Sequence, residues 1–237
     1  MRLKALAALA LLLLAPVPAH AFRLVPIEME FEPSGRGATQ IFRLENENRD
    51  PVAVEVKVMA RAQDPDGQDV LTEAGDDWVV FPEQVILEPG QNQSVRVQWV
   101  GNAAPPVELA YRLIAEQLPV DIGKAPPQGG QVRLLVRYVA SLYVMPQGVR
   151  PSVGIVSAGK AADGRLELVV RNSGTSRQIL REPTLTLQGG GKTVTLAADQ
   201  LEGLAGENLL AGTTRRFLLP WPAGLAAGSV TASLKVP

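Results

Sequence analysis

Gln131 to Pro146 reads QVRLLVRYVASLYVMP. Val132, Leu134, Val136, Tyr138, Ala140, Leu142 and Val144 share one parity, while Arg133, Arg137 and Ser141 fall on the other. A period of two is the pattern of a β-strand with one apolar face. The run is about twice the length of an ordinary strand. A strand this long, with an aliphatic row on one side and arginines on the other, asks for a purpose beyond filling one sandwich.

The setting of that strand comes from the start of the chain, MRLKALAALALLLLAPVPAHA. Arg2 and Lys4 precede an apolar run from Leu6 to Leu14, which is too short to span a bilayer. Ala19-His20-Ala21 is a small-x-small cleavage site. Residues 1–21 therefore read as a secretory signal peptide, and the mature chain is expected to start near Phe22, exported and without stable membrane insertion. The only histidine of the chain, His20, leaves with the leader, and there is no cysteine. Ser-His and Cys-His catalysis are thus excluded, as are disulfides and the commonest soft metal ligands. Losing Arg2 and Lys4 takes the net charge from −1 to −3, a weak balance that argues against a nucleic-acid partner.

Nearly all the rest is strand and turn signal. Phe22 to Phe31, Thr39 to Leu44, Val52 to Met59, Trp78 to Phe81, Val85 to Leu87, Ser94 to Val100 and Leu109 to Leu118 are strand-like runs. ENENRDP, AQDPDGQD and LEPGQ separate them with Asn, Asp, Pro and Gly. KAPPQGG is a flexible loop ahead of the long strand. About seven strands with turns between them is the arithmetic of an immunoglobulin-like sandwich. PQGVRP, Pro146 to Pro151, reads as a short stiff hinge. Beyond it Arg165 to Val170, Pro183 to Leu187, Lys192 to Leu196, Arg215 to Leu219 and Ser229 to Val236 form a second, smaller sandwich, with a turn or two of helix in Ala197 to Leu204. The expected fold is all-β, with residues 22–146 and 151–237 as two immunoglobulin-like β-sandwich domains.

DWVVFPEQVILEPGQNQSVRV (Asp77 to Val97), LAYRLIAEQLP (Leu109 to Pro119) and SLYVMP (Ser141 to Pro146) together resemble the periplasmic pilus-assembly chaperones of the chaperone–usher pathway. The resemblance covers the first domain in its motifs and the second only in size and class. It implies two domains set in a boomerang with a binding cleft between them. It also implies a purpose for the long strand: to complete a pilus subunit, an immunoglobulin-like fold that lacks one strand, before the subunit passes to an outer-membrane usher. Such pairing is a known form of strand addition. Aligned from SLYVMP, the donor row falls on Val132, Leu134 and Val136, each able to contribute roughly 1.5–3 kcal/mol by burial in a subunit groove. Read without the resemblance, the same residues are an inward-facing core row.

The chain departs from the family where the resemblance implies two basic residues that hold the subunit's C-terminal carboxylate. Those positions fall on Glu28 and Ser141. Of the family's cross-domain ion pair, Glu108 matches the acidic member, and Met145 stands in the place of the basic one. Arg137, four residues before Ser141 and about 13 Å along the same face, and Arg112 on the neighbouring strand are candidate replacements, since an arginine fork suits a carboxylate. Strand pairing alone, or a different client, are the alternatives.

Other chemistry is thin. GGGK (Gly189 to Lys192) is a hairpin turn rather than a phosphate loop, and QDPDGQD (Gln63 to Asp69) lacks the twelfth-position Glu of a calcium loop and reads as a surface turn. Glu28, Glu30 and Glu32 read as a solvated strand face. No catalytic residue, metal ligand or cofactor is expected. The leading expectation is a non-enzymatic periplasmic chaperone with pilus subunits and an usher as partners. The runner-up is a structural or adhesive β-sandwich protein of a surface fibre.

Overall fold

The computed structural model describes residues 22–120, 122, 134–226 and 230–237. The expected signal peptide, and Val132 of the expected donor row, lie outside the described residues.

The N-terminal half holds β1 (Phe22–Val25), β2 (Glu28–Phe31), β3 (Thr39–Asn46), β4 (Val52–Gln63), β5 (Asp69–Glu73), β6 (Trp78–Phe81), β7 (Gln84–Leu87), β8 (Asn92–Trp99), β9 (Leu109–Gln117) and β10 (Arg137–Val144). One sheet runs β1-β3-β8-β6; the other runs β2-β10-β9-β4-β5, with β7 also paired to β4. The chain's opening strand therefore serves both sheets. Phe22–Val25 pairs antiparallel with β3, and Glu28–Phe31 pairs parallel with β10. The changeover lies at Pro26, which follows a cis bond and has no N–H to give a ladder. A second cis bond, Phe81–Pro82, separates β6 from β7, which belong to different sheets.

Alternation fills the space between the sheets. Phe42, Leu44, Val95, Val97 and Trp99 come inward from one sheet, and Val54, Val56, Leu113, Ala115, Ala140, Leu142 and Val144 from the other. Phe31, Trp78, Trp99 and Tyr111 form an aromatic cluster at one end, with ring centroids 4.9–5.6 Å apart and mostly edge-to-face. With no disulfide, this burial holds the sandwich, at about 1.5–3 kcal/mol for each large apolar side chain.

The C-terminal half holds β11 (Val153–Lys160), β12 (Leu166–Asn172), β13 (Gln178–Ile179), β14 (Thr184–Gly189), β15 (Lys192–Leu196), β16 (Asn208–Leu209), β17 (Thr214–Leu219) and β18 (Thr231–Lys235). Its sheets run β11-β12-β17, β13-β16 and β15-β14-β18, around a separate core of Leu166, Leu168, Val170, Leu185, Leu187, Leu201, Leu204, Leu209 and Phe217. β11 has no counterpart among the expected strands; VGIVSAGK is diluted by glycine, alanine and serine, and its apolar positions do not alternate cleanly. The expected helix shrinks to a 3-10 turn at Ala198–Gln200. Gly190 and Gly191, both at positive φ, close the β14–β15 hairpin where GGGK was read as a turn.

Candidate functional site: an open strand edge above a charged cleft

β10 is paired along its whole length to β9, from Arg137↔Glu116 to Val144↔Leu109. Among the described residues its other side is covered only from Ser141 to Val144, by β2. The last contact on that side is Ser141 N–H to the Ile27 carbonyl, 2.9 Å. With a period of two, the backbone groups of Val139, Arg137 and Leu135 point the same way. Among the described residues no strand pairs with them. The sheet change of the opening strand thus creates the gap: had β1 stayed beside β10, the edge would be closed. Ile27, Leu134, Leu135 and Val139 are all exposed around it, Leu134 at 80%.

The expectation of one unbroken strand from residue 131 to 146 is corrected here, because regular strand begins at Arg137. Gln117 N–H still reaches the Val136 carbonyl (2.9 Å), but Leu118 N–H turns to Ala53 and Pro119 has no N–H to offer. Leu134 and Leu135, just before Val136, pair with no strand among the described residues. The two described members of the expected donor row differ. Val136 is half-buried and packs on its own core beside Tyr138, whose ring lies edge-on 5.1 Å from Phe22. Leu134 stands clear of that core.

The face of this sheet turned away from the core carries the other parity. In one cross-strand row stand Glu28, Ser141, Arg112 and Met59, and in the next Glu30, Tyr143 and Ala110. Arg112 is therefore directly opposite Ser141 and donates from Nη1 to its Oγ. Arg112 Nε also donates to Asp69 Oδ2 (2.7 Å), and Arg61 Nε donates to Asp69 Oδ1 (2.8 Å). Two guanidiniums share one carboxylate, which leaves a surplus positive charge beside Ser141. Burial opposes ionisation of Asp69, but the hydrogen bonds and charge of Arg112 and Arg61 outweigh it and hold its carboxyl below the usual range. Arg137 lies exposed at the start of β10, opposite Glu116 in register and outside this cluster.

A second cluster joins the two halves. Arg177 extends from beside β13 and lies over the Tyr143 ring, 3.6 Å from its centroid. It donates to Glu108 (3.0 Å) and Glu30 (2.8 Å), with Glu28 at 3.5 Å, and Nη1 also meets the Met145 sulfur at 3.6 Å. Glu108 thus has a cation supplied by the C-terminal sandwich, Arg177, lying against Met145. Burial pushes the Glu108 carboxyl up in spite of Arg177. The Glu28–Glu30 face is not merely solvated, because both carboxylates have Arg177 as a partner. Asn208 Nδ2 and Arg61 Nη1 both donate to the Tyr143 hydroxyl, at 2.9 and 3.2 Å. Beside these groups a cavity of about 380 Å³ opens between β4, β9 and residues 210–213, lined by Arg61, Glu108 and Tyr111. Among the described residues no cluster of acidic, histidine or cysteine side chains is arranged to hold a metal, and no helix is long and apolar enough to cross a membrane.

Arg61, Asp69, Tyr143, Arg177 and Asn208 were not singled out from sequence. The parity of Arg61 on β4 was a usable signal, since it places the side chain on the same face as Arg112. Nothing local to SRQIL marks Arg177.

Residues 32–150 match the family of pili and flagellar-assembly chaperones, PapD N-terminal domain. The chain belongs to that family of pilus-assembly chaperones. No curated protein sequence matches it. Among solved structures, a chain of the CsuC–CsuE chaperone–tip adhesion subunit pre-assembly complex, from the archaic chaperone-usher Csu pili of Acinetobacter baumannii, superposes with a TM-score of 0.60 at 18% identity, covering 89% of this chain and 91% of that one. A chain of the Salmonella enterica SafA pilin–SafB chaperone complex gives 0.56 at 17% identity, with 86% of each chain covered. The class 5 fimbriae chaperone CfaA gives 0.57 at 16%, covering 92% of this chain and 100% of that one. At these identities the likeness is one of fold, two β-sandwiches in tandem.

Proposed function

We propose that the protein is a non-enzymatic periplasmic chaperone that completes an unfinished immunoglobulin-like pilus subunit with the open edge of β10 and passes it to an outer-membrane usher. The observation that carries this reading is the edge itself: the backbone groups of Leu135, Arg137 and Val139 point outward with no strand partner among the described residues, and Leu134 is exposed beside them. An unpaired edge flanked by aliphatic side chains is an aggregation hazard unless it has a partner. A subunit lacking one strand offers the complementary edges and groove. The CsuC–CsuE and SafB–SafA assemblies each pair a chaperone with a subunit or pilin, and this chain is proposed to do the same. The leader MRLKALAALALLLLAPVPAHA supports export to the periplasm.

The donor row is proposed to be Val132, Leu134 and Val136. Leu134 would insert fully, whereas Val136 would bridge the chaperone's own core and the client's. The client's C-terminal carboxylate is proposed to sit at Arg112, whose guanidinium already occupies the space over Ser141. An incoming strand along the open edge would end where β2 begins, at Ile27 and Glu28, within reach of that surplus charge.

Co-expression with the subunit encoded beside it tests the reading. Changing Val132, Leu134 and Val136 together to Asp is expected to leave the subunit insoluble. A subunit that stays equally soluble with the triple variant sinks the proposal.

A further inference from the structure

The turn Asp64-Pro65-Asp66-Gly67-Gln68 between β4 and β5 is a surface turn, as QDPDGQD was expected to be, with Pro65, Asp66 and Gln68 exposed, but it also meets the C-terminal sandwich. It is internally fixed. Asp64 Oδ1 accepts from Asp66 N (3.0 Å) and Gln68 N (2.8 Å), Gly67 N donates to the Asp64 carbonyl (2.9 Å), and Asp64 N donates to the Gln68 carbonyl (3.0 Å). An aspartate that satisfies its own turn makes the tip stiff. That stiff tip lies against the C-terminal sandwich. Arg216 N donates to the Pro65 carbonyl (2.6 Å), and its guanidinium grips Asp66 Oδ1 at 2.6 and 3.0 Å. Gly67 has φ +83°, and a Cβ there would lie 1.8 Å from Arg215 Nη2, so the Arg215 side chain fills the space that only glycine leaves. Just before the turn, Gln63 makes a paired contact: Nε2 donates to the Asn208 carbonyl (3.0 Å) and Oε1 accepts from Leu210 N (3.1 Å).

Just after the turn comes Asp69, whose two oxygens hold Arg61 and Arg112. One rigid hairpin therefore touches the second sandwich at its tip and the cleft arginines at its base. We propose that the Gln63–Asp69 turn is a brace: it fixes how the two sandwiches sit against each other and, through Asp69, positions Arg112 to receive a carboxylate. Asp66, Gly67 and Arg216 are then positioning residues for client binding, although they lie away from the β10 edge. The second half of this inference rests on Arg112 as the carboxylate site; the first half does not.

The test uses the full mature chain with two readouts. Small-angle scattering of the free protein reports the arrangement of the sandwiches. Binding of a short peptide alternating Val and Thr, with either a free C-terminal carboxylate or a C-terminal amide, reports the cleft. Arg216→Ala is expected to increase the radius of gyration and to cut the preference for carboxylate over amide by roughly twofold to fivefold, in the range of one exposed ion pair. Gly67→Ala, which drives a methyl into Arg215, is expected to shift both in the same direction. The double reversal Asp66→Arg with Arg216→Asp is expected to restore both, which a general loss of stability would not. Unchanged scattering in both single variants overturns the brace. Changed scattering with unchanged carboxylate preference overturns the positioning of Arg112. A wild-type protein that binds acid and amide equally removes the carboxylate site and with it the second half, while scattering still decides the first.

Discussion

Arg177 and Glu108 meet at 3.0 Å across the junction of the two sandwiches, with the Glu108 side chain only 1% exposed. The backbone ties the same two segments: Arg177 N donates to Glu108 Oε1 (3.2 Å), and Glu108 N donates to the Thr175 carbonyl (2.8 Å). Arg177 is thus the group that makes a buried carboxylate tolerable at the junction.

Removing it should be severe. Arg177→Ala is expected to destabilise the protein by about 3 kcal/mol, the scale of an orphaned buried charge, and adding Glu108→Gln should recover most of that loss. The pH dependence has a definite sign. Burial already raises the Glu108 carboxyl, and loss of Arg177 raises it further. A carboxyl whose folded pKa lies above its unfolded value contributes stability below the unfolded value, about 4.3, and loses it as pH rises through the folded one. The deficit of Arg177→Ala should therefore grow upward from pH ~4. Denaturant melts across pH check this; a deficit that shrinks as pH rises contradicts it.

Asp69 has the opposite sign. Its folded pKa is depressed because the hydrogen bonds of Arg112 and Arg61 outweigh burial. The stability it contributes is present above the unfolded value, about 3.9, and is lost as pH falls through the lower folded value. Asp69→Asn is expected to cost about 1–2 kcal/mol at pH 7, as two charge-assisted hydrogen bonds weaken. The gap to wild type should narrow as both are titrated below pH ~4. Parallel acid-unfolding curves that keep a constant gap contradict the assignment.

The edge of β10 yields a separation of roles. Leu134 touches little of its own protein, so Leu134→Asp should leave stability within about 0.5 kcal/mol of wild type while abolishing rescue of a co-expressed subunit. Val136 packs partly on its own core, so Val136→Asp should cost about 1–3 kcal/mol as well as function. Thermal melts alongside subunit solubility distinguish the two; a large stability loss from Leu134→Asp contradicts the open edge.

What was legible in the sequence was what local period and turn chemistry encode. The even-parity row from Val136 to Val144 faces the core as its alternation requires, and Gly189 to Lys192 closes a hairpin. Arg112 was singled out because its strand was recognised beside the long one. What stayed hidden depends on groups far apart in the chain. Asp66 meets Arg216 across 150 positions, so QDPDGQD offered no sign that its tip docks on the second sandwich. Glu108 finds Arg177 across 69 positions, and nothing beside Met145 hinted at a cation from elsewhere. The late start of β10 depends on where β9 gives out after Gln117, which period-two counting does not register.

The two candidate anchors can be told apart. Arg112 has its guanidinium over Ser141, is only partly satisfied by Asp69 because Arg61 shares that carboxylate, and keeps 17% of its side chain exposed for a ligand. Arg137 stands on the same face but four residues along the strand from Ser141, exposed and outside the cluster. If Arg112 holds the client's C-terminus, Arg112→Ala should lower the preference for a carboxylate-ended over an amide-ended peptide by roughly tenfold, the scale of one charge-assisted hydrogen bond. Arg112→Lys should recover only part of it, since an ammonium keeps the charge but loses the fork that spans Ser141 and Asp69. Arg137→Ala should change the preference by less than about twofold, because an exposed charge is screened over that separation. Isothermal titration with the peptide pair measures all three. If Arg137→Ala proves the more damaging substitution, the client's carboxylate lies farther up the strand than Ser141, and the surplus charge held by Asp69 serves the fold instead of the client.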